Sequence, residues 1–284
     1  MTPVRIRHFT DPGCPFAFSA EPRLRRLEWL YGDQLDWDTR MVVLSESPDE
    51  YEERGFTVDK QAAGLKAMYE AHGMPIDWRR RERMPATVDA CRAVVAARVH
   101  APEAEGALLR RLRVLGMGGG LLDDPALLDR AACDAGIDSG VLEGWIEDPA
   151  VEEALEADKG VARRPAPAAL ALDHKLADAE DGRRYTCPSL ELHADEELLA
   201  LPGFQPLEAY EVALANLAPG LDRREDPESV EEVLEWAPFP LATAEIAAVC
   251  ARGEDDVRSE LARVAEFEPV GGDGYWSARA VSGG

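Results

Sequence analysis

The sequence as given contains no long apolar run, no pattern of a secretion signal and no regular cysteine framework, and each of these observations bears on the class of protein to expect. No apolar run in the 284 residues is long enough to span a bilayer. The first seven residues, Met-Thr-Pro-Val-Arg-Ile-Arg, lack the apolar core of a secretory signal, which favours a cytoplasmic location. The five cysteines are scattered and odd in number, so the pattern is not that of a disulfide-stabilised secreted domain.

Positive charge is also scarce. The chain has 31 basic against 55 acidic residues and a formal net charge of −24, and its only lysines are Lys60, Lys66, Lys159 and Lys175. Such a surface repels nucleic acid and anionic lipid, so neither nucleic acid nor a membrane is expected as a partner. Two origins stay open. We favour a high-salt, halophilic cytoplasm, where carboxylates keep a surface hydrated; the other is an acidic protein from a GC-rich genome, which also prefers arginine.

Cys14 is the most informative residue, because it lies where a β-type run from Val4 to Asp11 gives way to a helical run. The first N–H groups of a helix are free and carry a partial positive charge, so we expect a thiol there to have a lowered pKa and to act as a nucleophile. The tetrad Cys14-Pro15-Phe16-Ala17 keeps the attacking sulfur of a Cys-x-x-Cys motif, but alanine replaces the resolving cysteine. A retained but inactive thiol is the alternative.

A second stretch, Arg184 to Leu192, is a β-type run with Pro188 near its start. Three motifs now match a known pattern: Asp11-Pro-Gly-Cys-Pro-Phe16, Thr186-Cys-Pro-Ser-Leu190 and Pro202-Gly-Phe-Gln-Pro206. With them, residues 1 to about 220 resemble the DsbA-like branch of the thioredoxin superfamily. That branch includes predicted dithiol–disulfide isomerases, kappa-class glutathione transferases and hydroxychromene-carboxylate isomerases. The resemblance implies that Cys14 is the reactive residue and that Pro188 is cis.

The same resemblance implies an α/β thioredoxin fold with an inserted all-helical domain. Strand patterns near 4–10, 35–44, 185–193 and 197–201, and helical patterns from about 56 to 160, agree with it. Pro22 is expected to interrupt the first helix. The predicted units are 1–55 and 162–222 for the two parts of the thioredoxin fold, 56–161 for the insertion, and 223–284 for a winged-helix-like domain.

The C-terminal unit resembles a DNA-binding shape, but its charge argues against DNA. From Arg223 onward there are fourteen acidic residues and six arginines, whereas a helix that faces phosphates needs the opposite sign. We therefore expect a packing or dimerisation module, and a homodimer is compatible with the sequence.

Cys187 precedes the proline, and the family geometry places that residue beside the active-site cysteine. It could replace the lost resolving cysteine by forming a Cys14–Cys187 disulfide, or it could be a small apolar filler. Two thiols alone make an incomplete zinc site, so no metal is expected. Cys91, Cys133 and Cys250 fall on apolar helical stripes and are expected to be inert core residues. The basic run Arg79–Arg83 is either a solvated surface or a binding element for an anionic substrate group.

The sequence therefore favours a DsbA-like thiol–disulfide oxidoreductase or isomerase with a single active-site cysteine. Its partners would be protein thiols and disulfides or glutathione, the latter as co-substrate, with no bound cofactor. Two alternatives remain: an eroded adaptor or peptide-binding module, and a glutathione-dependent isomerase or transferase, although those relatives usually place serine where Cys14 stands. The predicted catalytic residues are Cys14 and Cys187, and the predicted substrate-binding residues are Pro15, Phe16, Ala17, Thr186 and Pro188.

Overall fold

The computed structural model describes residues 3–180 and 182–279. Its β-strands are Val4–Thr10 (β1), Leu35–Met41 (β2), Ala177–Ala179 (β3), Gly182–Arg184 (β4), Ser189–Ala194 (β5), Glu197–Leu201 (β6), Leu241–Ala242 (β7), Ala265–Val270 (β8) and Asp273–Ala278 (β9). Its α-helices are Pro15–Ser19 (α1), Glu21–Tyr31 (α2), Asp49–Glu53 (α3), Val58–His72 (α4), Val88–His100 (α5), Glu105–Met117 (α6), Pro125–Asp134 (α7), Val141–Ile146 (α8), Pro149–Ala162 (α9), Pro167–Leu170 (α10), Leu207–Leu217 (α11), Val230–Trp236 (α12), Thr243–Cys250 (α13) and Glu254–Val264 (α14). Among these described helices, none combines the length and the apolar character that crossing a membrane requires.

The central sheet has the strand order β2-β1-β5-β6. β1 and β2 are parallel, with Val4 opposite Leu35, and a parallel pair needs a crossover connection, which α1 and α2 provide. β5 runs antiparallel to β1, with Ile6 opposite Leu192, and β6 runs antiparallel to β5. The sheet is thus the mixed α/β arrangement that the sequence predicts.

The predicted interruption by Pro22 is present. α1 ends at Ser19 and α2 begins at Glu21, so Pro22 occupies the first turn of α2, where its missing N–H costs no intrahelical bond.

Helices α4 to α9 cover the segment predicted as the helical insertion, and α5 lies at the centre of their core. Its alanines Ala90, Ala93, Ala96 and Ala97 are completely buried, as expected for a helix that packs against other helices over most of its surface. Cys91 is buried in the same core, as predicted, but Cys133 on α7 is exposed, so the prediction of a core residue was wrong there. Successive helical residues are rotated by about 100°. The buried stripe of α7 ends at Ala132, and Cys133 therefore points away from it.

The C-terminal segment comprises α12, α13, α14 and a small sheet of order β7-β9-β8. It shares one core with the central sheet: Ile246 and Leu261 belong to the same buried cluster as Leu27 of α2 and Ile6 of β1. The limits of the four predicted units stay predictions, but a continuous core joins the last of them to the sheet.

Two further contacts connect this segment to the helical insertion. At the β8–β9 turn, Gly271 has a φ of +58°, and a Cβ there would lie 2.0 Å from the carbonyl oxygen of Ile76. The Tyr69 hydroxyl of α4 donates to the carbonyl of Gly272 at 2.7 Å. The turn therefore lies directly against α4 and the chain that follows it.

A buried ion cluster joins α2, α6 and α13. Arg110 pairs with both Glu21 and Glu245, and Arg113 pairs with Glu21. Burial alone would raise the pKa of Glu21, but the two guanidinium groups lower it to about 2. Glu21 is therefore a carboxylate at neutral pH, and it connects α6 of the helical insertion to the start of α2.

Candidate active site

The topology brings the two predicted thiols together. Cys14 follows β1 and immediately precedes α1, while Cys187 precedes β5, the antiparallel neighbour of β1. Phe9, near the C-terminal end of β1, is paired with Ser189 at the N-terminal end of β5. Both cysteines therefore lie beyond these neighbouring strand ends. The Cys14 Sγ lies 3.4 Å from the carbonyl oxygen of Cys187, and the Cys187–Pro188 peptide bond is cis. Both thiols are free and buried.

The surroundings of the two thiols differ in their effect on ionisation. The pKa of Cys14 is lowered, mainly by a hydrogen bond from Cys187 and further by the backbone N–H groups of Ala17 and Phe16, against the opposing effects of burial and of Asp11. The pKa of Cys187 is raised, first by burial and then by its hydrogen bond to Cys14. Cys14 therefore ionises more readily than Cys187, and its ionisation ends the hydrogen bond that the Cys14 thiol donates to the Cys187 carbonyl oxygen. The sequence predicted the lowered pKa from the helix start, but here Cys187 contributes most.

Asp11 fixes the turn that carries Cys14. Its carboxyl group is fully buried and accepts hydrogen bonds from the N–H of Gly13 at 2.7 Å, the N–H of Leu44 at 2.8 Å, the Thr87 hydroxyl at 2.8 Å and the Cys91 thiol at 3.4 Å. Burial raises the pKa of Asp11, and these bonds offset only part of that effect. One side chain thus joins the Cys14 turn to the end of β2 and the start of α5.

Cys14 borders a cavity of about 740 Å³. The volume lies within the range of small-molecule sites, about 300–1,000 Å³. One wall is formed by Cys14, Pro15 and Phe16, and another by Thr186 and Cys187. The remaining walls are largely apolar side chains of the insertion and of the loop before α11: Leu44, Phe56, Leu65, Met68, Met84, Met117, Leu122 and Phe204.

Five of the seven predicted site residues therefore meet at one cavity, and two do not line it. The Ala17 side chain is completely buried, and Ala17 acts on Cys14 through its backbone N–H. Pro188 follows Cys187 through the cis peptide bond and does not line the cavity. Phe16 is 48% exposed and packs edge-on against Phe204, with ring centroids 6.2 Å apart. The Thr186 hydroxyl donates to the carbonyl of Lys175 at 2.8 Å, which fixes that side chain at the cavity edge.

Sequence reasoning missed most of the cavity wall. Phe204 stood in a quoted motif and Arg81 in the basic run, so both carried a signal. Phe56, Met68 and Met84 carried none, because an apolar residue that lines a cavity has the same sequence pattern as one that fills a core. Within residues 3–180 and 182–279, no group of three or more His, Cys, Asp or Glu side chains is placed to hold a metal ion.

Comparisons with known proteins agree with this geometry. The family model described as "DSBA-like thioredoxin domain" matches residues 5–165, which include β1, the Cys14 turn and the helical insertion. No curated protein sequence matches the chain. The cytosolic disulfide reductase DsbM from Pseudomonas aeruginosa superposes with a TM-score of 0.54 at 16% identity, over 75% of this chain and 100% of that one. A probable DsbA oxidoreductase from Streptomyces coelicolor superposes with a TM-score of 0.55 at 17% identity, over 78% of this chain and 93% of that one.

These structural likenesses concern the fold, since their sequence identities are low. The family match covers more than half of the chain and includes the turn that carries Cys14. The predicted thioredoxin fold is thereby confirmed, and the protein belongs to the DSBA-like thioredoxin domain family.

Proposed function

We propose that this protein is a thiol–disulfide oxidoreductase or isomerase in which Cys14 is the only nucleophile of the active-site tetrad. The observation that carries the proposal is the pair of thiols at the cavity. Cys14 has a lowered pKa and borders the cavity, whereas burial raises the pKa of Cys91, Cys187 and Cys250. The thiolate is the attacking species in disulfide exchange, so Cys14 is the thiol suited to begin the reaction.

In the first step, the Cys14 thiolate attacks one sulfur of a substrate disulfide. A Cys14–substrate disulfide forms, and the other substrate sulfur leaves as a thiolate. In the second step, a small thiol such as glutathione attacks the Cys14 sulfur, releases the reduced substrate and leaves glutathione on Cys14. A second glutathione attacks the glutathionyl sulfur, which regenerates Cys14 and produces oxidised glutathione. The net reaction reduces one substrate disulfide by two glutathione molecules.

Cys187 offers a second route for the release of the substrate. Its thiol is adjacent to Cys14 and, once deprotonated, would attack the Cys14 sulfur to give a Cys14–Cys187 disulfide and the free substrate thiol. A reducing thiol would then reopen that disulfide. The high pKa of Cys187 makes this route slow at neutral pH. We therefore place glutathione first and Cys187 second as the resolving thiol.

Glutathione and a cytoplasmic location belong together in this proposal, because a reducing compartment supplies the thiol. A structure of the Pseudomonas DsbM with GSH superposes on this chain with a TM-score of 0.52. An extended peptide or glutathione would bind along the main chain just before Pro188 through strand-like hydrogen bonds.

The test is the glutathione-dependent reduction of a small mixed disulfide, followed by the consumption of NADPH through glutathione reductase. The wild type should accelerate the reaction, and Cys14→Ser should reduce the rate to the uncatalysed level. Cys133→Ser is the matched control, because Cys133 is exposed and does not line the cavity, and it should retain full activity. Full activity in Cys14→Ser would refute the proposal. A wild type that binds peptides but never turns over, whether or not Cys14 is alkylated, would instead favour the adaptor hypothesis.

A further inference from the structure

The basic run Arg79–Arg83 separates into three surface arginines and one interior arginine. Arg79 donates to Asp77 at 2.9 Å, Arg80 to Asp59 at 2.9 Å, and Arg83 to Asp123 at 2.8 Å. The alternative of a solvated surface therefore holds for Arg79, Arg80 and Arg83, each of which is paired with the carboxylate of a different acidic residue.

Arg81 has no such partner. Only 9% of the residue is exposed, its Nη2 donates to the carbonyl of Gly116, and its buried Nε has no hydrogen-bond partner among the described residues. The charge of Asp77 acts on Arg81, but that carboxylate is held by Arg79. A buried cation without a counterion is costly unless something else supplies the negative charge.

Arg81 lines the same cavity as Cys14. The charged side chains of the cavity wall are basic, whereas the chain as a whole has an excess of acidic residues. The other ionisable basic side chains on its wall are His174, Lys175 and Arg184, and no described Asp or Glu lines it. In a chain with 55 acidic residues, a cavity with basic groups alone is selective for an anion. The rest of the wall is apolar, so the ligand needs an apolar body as well.

We propose that the cavity binds a small molecule with an apolar body and a carboxylate group, and that Arg81 receives the carboxylate. A guanidinium group presents its N–H donors in a planar fork that matches a carboxylate, and Nη2 is the one Arg81 nitrogen that is hydrogen-bonded to a described residue. Glutathione, which is polar along its whole length, fits the apolar wall less well than an aromatic or aliphatic acid. This inference rests on the proposed function in one respect only, namely that a disulfide or electrophile of this class would be the substrate of Cys14.

The test measures binding without thiol chemistry, in the full chain carrying Cys14→Ser. The probes are pyrenebutyrate and pyrenebutanol, which share one apolar body and differ in the carboxylate, and their fluorescence reports binding. The carboxylate should bind more tightly than the alcohol. Adding Arg81→Gln should lower the affinity for pyrenebutyrate by about tenfold or more, the usual effect of a lost charge-assisted hydrogen bond. The affinity for pyrenebutanol should not change.

Arg80→Gln is the matched control, because it removes one positive charge from the same run at an exposed position outside the cavity. It should change neither affinity. Equal affinities of the two probes, or an unchanged affinity for pyrenebutyrate in Arg81→Gln, would overturn the proposal. Neither result depends on a reactive Cys14, so a failure here is distinct from a failure of the proposed function.

If the Arg81→Gln variant no longer binds pyrenebutanol because the chain no longer folds, a second experiment tests the proposal on the Cys14→Ser protein with Arg81 intact. Phenylglyoxal modification, mapped by mass spectrometry, should be slowed at Arg81 by pyrenebutyrate and not by pyrenebutanol. Equal modification of Arg81 with both probes would overturn the proposal.

Discussion

Replacing Cys187 should change the reactivity of Cys14 even if the two residues never form a disulfide. The Cys187 thiol is the largest contributor to the lowered pKa of Cys14, and both cysteines are less than a tenth exposed. A hydrogen bond to a charged group contributes about 1.5–3 kcal/mol. Each pKa unit corresponds to about 1.4 kcal/mol. Cys187→Ala should therefore raise the pKa of Cys14 and, at a pH below the midpoint, slow its alkylation by about tenfold.

Cys187→Ser is the matched variant, because a hydroxyl group keeps a donor at the same position. It should raise the pKa of Cys14 less than Cys187→Ala does. The sign follows from the direction of the shift: a lowered pKa means that the thiolate persists to lower pH, and removing its donor shifts the loss of thiolate to higher pH.

The measurement is the rate of iodoacetamide alkylation of Cys14 as a function of pH. Both variants and the reference should carry Cys133→Ser, because exposed Cys133 would otherwise be labelled as well. The midpoint of the rate profile gives the pKa of Cys14. Profiles of Cys187→Ala and of the reference that superimpose would refute the role of Cys187 as the donor.

Three other predictions concern redox state, stability and environment. Mild oxidation should remove two titratable thiols from a Cys133→Ser protein and none once Cys187→Ser is added, whereas equal losses would mean that Cys187 is only a filler. Glu21→Gln should lower the free energy of unfolding in urea by about 3–5 kcal/mol, because it leaves buried guanidinium groups without their carboxylate; the exposed control Asp36→Asn should cost less than about 1 kcal/mol, and equal effects would contradict the role of the cluster. If the acidic surface is a high-salt adaptation, the melting temperature should rise from low to molar salt as like charges are screened, and a flat or falling curve would reject that origin.

The sequence predicted the parts of the site that depend on local patterns. The strand before Cys14, the interruption at Pro22 and the strand after Pro188 follow from propensity and turn chemistry, whereas the meeting of the two thiols was implied by the family resemblance. The resemblance to a family added the sheet topology, which no local pattern contains.

The sequence could not predict features that depend on long-range contact. Asp11 was visible only as part of a motif, and its four hydrogen bonds come from residues up to 80 positions away. Cys133 was wrongly predicted to be buried, because an apolar pattern fixes the limits of the buried face of a helix only to within about one residue. A difference of one residue decides whether the thiol is buried or exposed. The difference between Arg81 and its neighbours is set by which carboxylates the fold brings near, so no pattern within the basic run contains it.

The β8–β9 turn has a consequence for how this protein could change its substrate. The turn lies against α4, and α4 supplies to the cavity wall Met68, which precedes the Tyr69 that contacts Gly272, and Leu65, one turn earlier. Position 271 cannot carry a side chain without moving the Ile76 backbone. The width of the cavity is thus set partly from a segment outside residues 5–165, the part that matches the family. Substitutions in a distant hairpin can therefore alter the cavity while every residue that lines it stays the same.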